Sequence, residues 1–424
     1  MRLKISTLAC LVVWSLIINT AAAELPVPCG ACNGGVWVSS GSASLRSSTN
    51  ALTIDQHTDR AILNWQSFNV GAGNSVNFRQ PSANSIALNR IFQSDPSRIL
   101  GSLNANGQIF LINQNGFLFG PSARVDTHSL VASSLGVTDE VFESLGITGA
   151  INEDRAAFSG IGAGKIDIAE GAKIAAQKDG RILIIAPEIN NSGELNSADG
   201  QVILAASHDK VYLEASGDAD LRGLLVEVDT GGEVNNLGKI ITERGNTTLL
   251  GAAVNQNGLI RATTSVTRNG SVRLLARDDA STIPVAGTSL RTAVAFRPRN
   301  VSLGPGSRTE VLIDSKSGEL ATDAQAQAKS KVEIVAKQIT LESEAEITVT
   351  GGNVDLLAAE NLADPLADFF VVNDSSITLK RGAAIDVSGA DDAFIPFERN
   401  LIEVDLDRKS TRLNSSHDQI SYAV

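Results

Sequence analysis

The run Gly180-Arg181-Ile182-Leu183-Ile184-Ile185-Ala186 returns along the chain in altered form. It becomes GQVILAA from Gly200, GNTTLLGA from Gly245, GSVRLLA from Gly270 and GNVDLLA from Gly352. A second unit sets a β-branched residue before a turn rich in Asn and Gly, with another apolar residue after it. It reads INNSGEL over residues 189–195, VNNLGKI over 234–240 and VNQNGLI over 254–260. The opening glycines at 180, 200, 245 and 270 stand 20, 45 and 25 residues apart. The step of 45 reads as two coils, with Gly223 of GLLVEV supplying the missing start.

Each apolar run is four to six residues, rich in Val and Ile and bounded by Gly, Asn, Asp or Ser. Such runs are short strands between tight turns. A repeat of this length built from strands alone predicts an all-β parallel β-helix, one coil per period. Leucine-rich repeats have a similar length, but their Leu-x-x-Leu-x-Leu spacing is missing. Propeller blades need roughly 40 residues.

Composition agrees with a solenoid. The 424 residues are 43% hydrophobic but only 4% aromatic, with 1 Met and 37 Gly. The core is therefore Val, Ile, Leu and Ala, which stack in columns spaced about 4.8 Å apart. Asn and Gly suit the turns because they take left-handed backbone angles cheaply, and stacked Asn side chains can bond one another in a ladder. One coil buries too little apolar surface to offset the entropy of ordering its backbone. Neighbouring coils must supply the rest, so the helix grows from a nucleus and needs capped ends.

Lys plus Arg number 35 against 47 Asp plus Glu, a net charge of −12. Both ends carry an excess of base, so the body between them is more acidic still. It repels phosphate backbones, which excludes nucleic acid as a partner. Residues 1–23 have the form of a secretory signal peptide: Arg2 and Lys4, an apolar stretch from Leu8 to Ile18, then Ala21-Ala22-Ala23 before Glu24. Cleavage leaves Cys29 and Cys32. No βαβ pattern supports a redox motif there, and no second Cys or His pair supports zinc. In an oxidising compartment the pair reads as a small local disulfide.

The repeat breaks at residues 140–158, read as an excursion from the helix surface, and again at 322–331 and 362–370. Strand-like runs resume (KVEIVA, QITLES, EITVTG) and continue to about residue 404. The tail over 408–424 is basic, polar and without the repeat. It reads as a non-native or disordered appendage to a chain whose natural course runs past 407. The expected organisation is a signal peptide at 1–23, one domain over 24–290, further repeats over 291–407 and the tail.

No catalytic residue, metal site or cofactor is expected. The four histidines are scattered, and neither HExxH nor GxSxG occurs. The run Gly160 to Lys165 lacks the first Gly and the final Ser or Thr of a phosphate loop. A polysaccharide-active β-helix enzyme would need clustered carboxylates. The clusters on offer are Asp278-Asp279, Asp218 with Asp220, and Asp391-Asp392. All lie in turns, where acids ordinarily solvate the surface.

The most distinctive stretch is residues 61–135. It holds Asn64-Trp65-Gln66-Ser67-Phe68-Asn69-Val70-Gly71, then SVNF, Ala87-Leu88-Asn89-Arg90-Ile91, DPSRILGSLNANGQIFLINQNGFLFGPSARV and SLVASSLGV. This series resembles the N-terminal haemagglutination activity domain of filamentous haemagglutinin and other two-partner secretion (TpsA-type) exoproteins. The resemblance spans roughly residues 33–290, with the motifs in the family's order. Gln114 stands where the family usually has Pro in Asn-Pro-Asn-Gly, and Ile91 replaces the usual Val.

The resemblance implies a right-handed β-helix with an N-terminal cap and small excursions. It also implies a partner, a TpsB-type outer-membrane barrel transporter with periplasmic POTRA domains. The chain would reach the periplasm unfolded, be recognised there, thread outward and fold at the cell surface. Asn64, Trp65, Phe68, Asn69, Asn89, Arg90, Asn113, Asn115 and Gly116 are the expected recognition and folding residues. The same residues also suit a purely structural role, Trp65 and Phe68 closing the first coil and the asparagines shaping turns. The full-length protein is expected to be an adhesin or haemagglutinin binding a host or neighbouring-cell receptor. A contact-dependent toxin carrier and a polysaccharide-active enzyme are the alternatives.

Overall fold

The computed structural model describes residues 24–160, 164–217, 222–265, 268–314, 329–362 and 374–389. The signal segment, the tail, Asp218, Asp220, Asp391 and Asp392 lie outside these, as does most of the two later breaks in the repeat.

One coil shows how the repeat folds. Arg181–Ala186, Glu188–Asn191 and Glu194–Ser197 are three strands joined by tight corners, and Gln201–Ala206 starts the next coil. Strands within a coil do not pair with each other. Each pairs in parallel with its counterparts above and below: Ile182 with Val202, Ile189 with Val234, Leu195 with Ile240. The result is a parallel β-helix with three long sheets along its length.

The inside is filled by the columns the composition requires. Ile182, Ile184, Ile189, Leu195, Val202 and Leu204 all belong to one continuous buried core. In the second and third sheets, buried residues alternate with partly exposed ones, as in Glu188–Asn191 and Glu194–Ser197. The first sheet differs. Gln201–Ala206 is buried at every position, because a second apolar layer covers its outer face. Leu183, Ile185, Ile203 and Ala205 point outward into that layer.

The layer is made of excursions. Residues 134–160 leave the helix as irregular chain with two short helical turns, Val141–Leu145 and Ala150–Glu153. The break expected over 140–158 falls within this segment. Lys210–Ala215 and Leu224–Val228 form an antiparallel hairpin, joined at its edge by Phe158–Ser159. A longer hairpin follows, Ser271–Pro284 with Arg291–Pro298.

The first hairpin corrects the repeat count. Gln201–Ala206 pairs directly with Asn246–Gly251, so a single coil lies between Gly200 and Gly245. The run after Gly223 is a hairpin strand, not a helix strand. An inserted hairpin adds about one coil's length and has the same apolar texture, so periodicity could not tell the two apart.

The corners show why glycine opens each coil. A Cβ on Gly200 would sit 1.9 Å from the carbonyl oxygen of Gly180, and one on Gly245 would sit 2.0 Å from that of Gly200. Close backbone approach demands glycine there. The left-handed residues at two of these corners are instead the preceding Asp179 and Asp199, with φ of 62° and 58°.

Two amide ladders run up the second sheet. Inside, Asn191 donates to Asn236 at 2.8 Å and Asn236 to Gln256 at 2.6 Å, all three fully buried. Outside, Asn190 donates to Asp167, Asn235 to Asn190 and Asn255 to Asn235, at 2.8–3.0 Å. At the N-terminal end, Val27–Pro28 and Val38–Ser40 pair antiparallel with Arg60–Ser67, while Ala43–Ser47 folds back on Ala51–Gln56. These strands cap the open edges of the first and third sheets.

Candidate recognition and folding site in the first coils

The strand Arg60–Ser67 is the first parallel member of the first sheet, and Ile86–Ile91 and Gln108–Ile112 stack on it. This register brings the expected residues together. Asn64 donates its amide to the carbonyl of Val36 at 3.1 Å and to the hydroxyl of Ser39 at 3.0 Å. Its backbone carbonyl accepts from Cys29 at 3.0 Å. Asn64 thus ties the cap to the first coil. Cys29 and Cys32 are joined as a disulfide within that cap.

Trp65 and Phe68 fill the end of the core. Their rings meet edge to face with centroids 5.3 Å apart, and Trp37 of the cap meets Trp65 in the same way at 5.9 Å. The indole N–H donates to Asn89 Oδ1 at 2.9 Å, and the Asn89 amide donates to the carbonyls of Ala87 and Phe110. Every polar atom of this buried pair is partnered, as a dry interior requires.

Asn69, Asn113, Asn115 and Gly116 shape the second sheet's edge. Asn69 Oδ1 accepts the Arg98 N–H at 2.8 Å, extending the sheet where no strand precedes it. Asn113 Oδ1 accepts the Asn115 N–H at 2.9 Å, closing an Asx turn, and the Asn113 carbonyl accepts the Gly116 N–H at 2.8 Å. The turn therefore holds itself without the family's proline. Gly116 has φ of 85°, and a Cβ there would lie 2.0 Å from the Lys165 carbonyl oxygen.

Burial separates the nine residues. Asn64, Trp65, Phe68, Asn89, Asn113 and Gly116 are buried, whereas Asn69, Arg90 and Asn115 keep partial exposure. Arg90 points outward, pairing with Asp139 at 2.5 Å and donating to the Val137 carbonyl at 2.8 Å.

Two participants had no sequence signal. Gln93 accepts the Phe68 N–H at 2.8 Å through Oε1, and its carbonyl accepts the Asn115 amide at 2.9 Å. It links the two motifs from a surface turn. Arg60 donates to the carbonyls of Phe142 and Glu143 at 2.7 and 2.6 Å.

Of the carboxylate clusters, Asp278-Asp279 lies among the described residues, inside the strand Ser271–Pro284 rather than in a turn, and Asp278 is its buried member. It is buried between Arg297 and Arg299, bonded to both. Burial pushes its carboxyl up, but the two guanidiniums outweigh that and hold it below the usual carboxylate range. It serves as an ion-paired strut. Among the described residues no group of three or more His, Cys, Asp or Glu is placed to hold a metal ion, and no helix is long and apolar enough to cross a membrane.

Comparison with known proteins agrees with this geometry. Residues 35–288 match the model of the TPS secretion domain family. Two heme/hemopexin-binding proteins of Haemophilus influenzae are similar, one 33% identical over 133 residues and the other 34% over 89. The matches cover 31% and 21% of this chain but only 14% and 10% of those proteins. The crystal structure of the HMW1 secretion domain from Haemophilus influenzae superposes with a TM-score of 0.61 at 23% identity, covering 83% of each chain. That likeness is one of fold, a β-helix in both.

Proposed function

This chain belongs to the TPS secretion domain family, and from that premise we propose that its first coils are read by a TpsB-type outer-membrane transporter while still unfolded. The protein itself is a secreted two-partner secretion exoprotein. The observation that supports the reading is burial. Asn64, Trp65, Asn89 and Asn113 have no exposed surface in the folded domain, so a partner can touch these side chains only before the coils close. The POTRA domains of the transporter, on the periplasmic side, would meet the extended chain. Each motif side chain then exchanges its contact with the transporter for its native place as the coil forms outside.

Folding supplies direction to this transfer. Each coil that closes outside adds a row of ladder hydrogen bonds and buries a new layer of aliphatic side chains. A folded coil cannot slip back through a pore sized for extended chain. Net outward movement therefore needs no nucleotide. The cap, with Trp37, Trp65 and Phe68 packed together, is the nucleus on which later coils stack.

The remainder of the full-length protein carries the activity, which we assign to adhesion at a host or neighbouring-cell surface. The segments shared with the heme/hemopexin-binding proteins are small fractions of those proteins. Producing the full chain with and without its partner transporter tests the reading. Transporter-dependent appearance in the medium supports it; equal release without the transporter refutes it.

A further inference from the structure

Residues 137–160 cross the outer face of the first sheet as a strap with little regular structure of its own. Beneath it lie Ile62, Leu88, Phe110, Ile112 and Val131, an apolar stripe up successive coils. The strap covers the stripe with Val141, Phe142, Ala157 and Phe158, and the rings of Phe142 and Phe110 meet at 6.3 Å.

Polar catches hold both ends. At the near end Arg60 grips the carbonyls of Phe142 and Glu143, and Arg90 grips Val137 and Asp139. At the far end the Arg291 guanidinium bonds Asp154 at 3.0 Å, and the Arg291 backbone N–H donates to Asn152 Oδ1 at 3.1 Å. Thr282, on the other strand of the same hairpin, donates to Asp154 as well. Beyond Asp154, Ala157 donates to the Val211 carbonyl at 2.9 Å, and Phe158–Ser159 pairs with the hairpin strand Lys210–Ala215.

We infer that this strap is a separately closing cover, latched by Arg60 and Arg90 at one end and by Arg291 at the other. Its catches are far apart in sequence. Arg60 and its acceptors are separated by 82 and 83 residues, and Arg291 and Asp154 by 137. In a chain that emerges from its N-terminus the first coils form before their cover can lock. Locking waits for Arg291, three residues past the end of the family match at 288. The latches are partly solvent-facing, with Asp139 and Asp154 both exposed, and the strap between them has little regular structure, which places its opening below global unfolding in free energy.

The strap carries Glu140, Glu143 and Glu153 on its exposed side, so a glutamate-specific protease reports its opening. The full chain would be compared with the Arg60→Ala/Arg90→Ala double variant, Arg291→Ala, and Arg308→Ala, which removes an ion pair on the third sheet. The inference expects cleavage at the strap glutamates to rise about tenfold or more in the double variant and in Arg291→Ala. Binding of an apolar-surface dye should rise with it, while Arg308→Ala leaves both unchanged. Unchanged strap cleavage in both latch variants would overturn it. So would equal acceleration at Glu194 and Glu233 on the helix itself, which would mean that the whole helix loosens rather than its cover.

Discussion

Trp65 Nε1 lies 2.9 Å from Asn89 Oδ1, and neither residue exposes any surface. The hydrogen bond joins consecutive coils at the end of the helix where folding starts. Asn89→Ala strands the indole N–H in the dry core. Trp65→Phe strands the Asn89 oxygen. Each should cost about 1–3 kcal/mol, and the double variant should cost less than the sum of the two. Denaturant unfolding followed by near-ultraviolet circular dichroism measures all three.

The two amide ladders make a matched comparison. Asn236 is fully buried between Asn191 and Gln256, whereas its neighbour Asn235 is half-exposed in the outer ladder. Asn236→Ala should cost about 1–3 kcal/mol, since it leaves Asn191 Nδ2 and Gln256 Oε1 buried without their partner. Asn235→Ala should cost under about 1 kcal/mol because water replaces what is lost. Equal losses in the same unfolding assay would contradict the ladder's role in the core.

Glycine positions should divide by what surrounds them. Gly116→Ala combines a left-handed backbone with a backbone oxygen 2.0 Å from the new Cβ. Gly287, at the tip of the long hairpin, has φ of 77° and open space around it. Gly116→Ala should therefore destabilise by about 2–4 kcal/mol, and Gly287→Ala by about 1–2 kcal/mol. The shift in thermal midpoint separates them.

Asp278 and Asp199 bring a pH dependence. Burial raises both carboxyls, yet the arginines around each leave them below their ordinary value of 3.8. A depressed folded pKa stabilises the fold above the unfolded value and loses that contribution as pH falls through the folded one. Stability should thus drop from about pH 4 downward. Asp278→Asn should be less stable at neutral pH, with a shallower fall in acid. Melting temperatures between pH 3 and pH 7 show both effects.

Much of this was legible in the sequence, and the part that was not has a physical cause. Columns of Ile, Val and Leu, with the Asn and Gly corners, announced a stacked helix. The difference between RILIIA and the neighbouring EINN and ELNS carried more. An unbroken apolar run marks a strand covered on both faces, so it already contained the outer layer. What covers the strand could not be read, because the hairpin over 210–228 looks like one more coil. The turn motif around Asn113 was visible as a local pattern. Gln93 and Arg60 were not, since their partners are 22 to 83 residues distant and meet them only through the coil register.

The central claim is that recognition precedes folding. Its most direct test is the affinity of the transporter's periplasmic domains for this chain in two states, held unfolded and fully folded. The account predicts binding at least about tenfold tighter to the unfolded chain, weakened there by replacing Asn64, Trp65 and Asn113 with alanine. Tighter or equal binding to the folded domain would contradict it, since the folded surface offers none of those side chains.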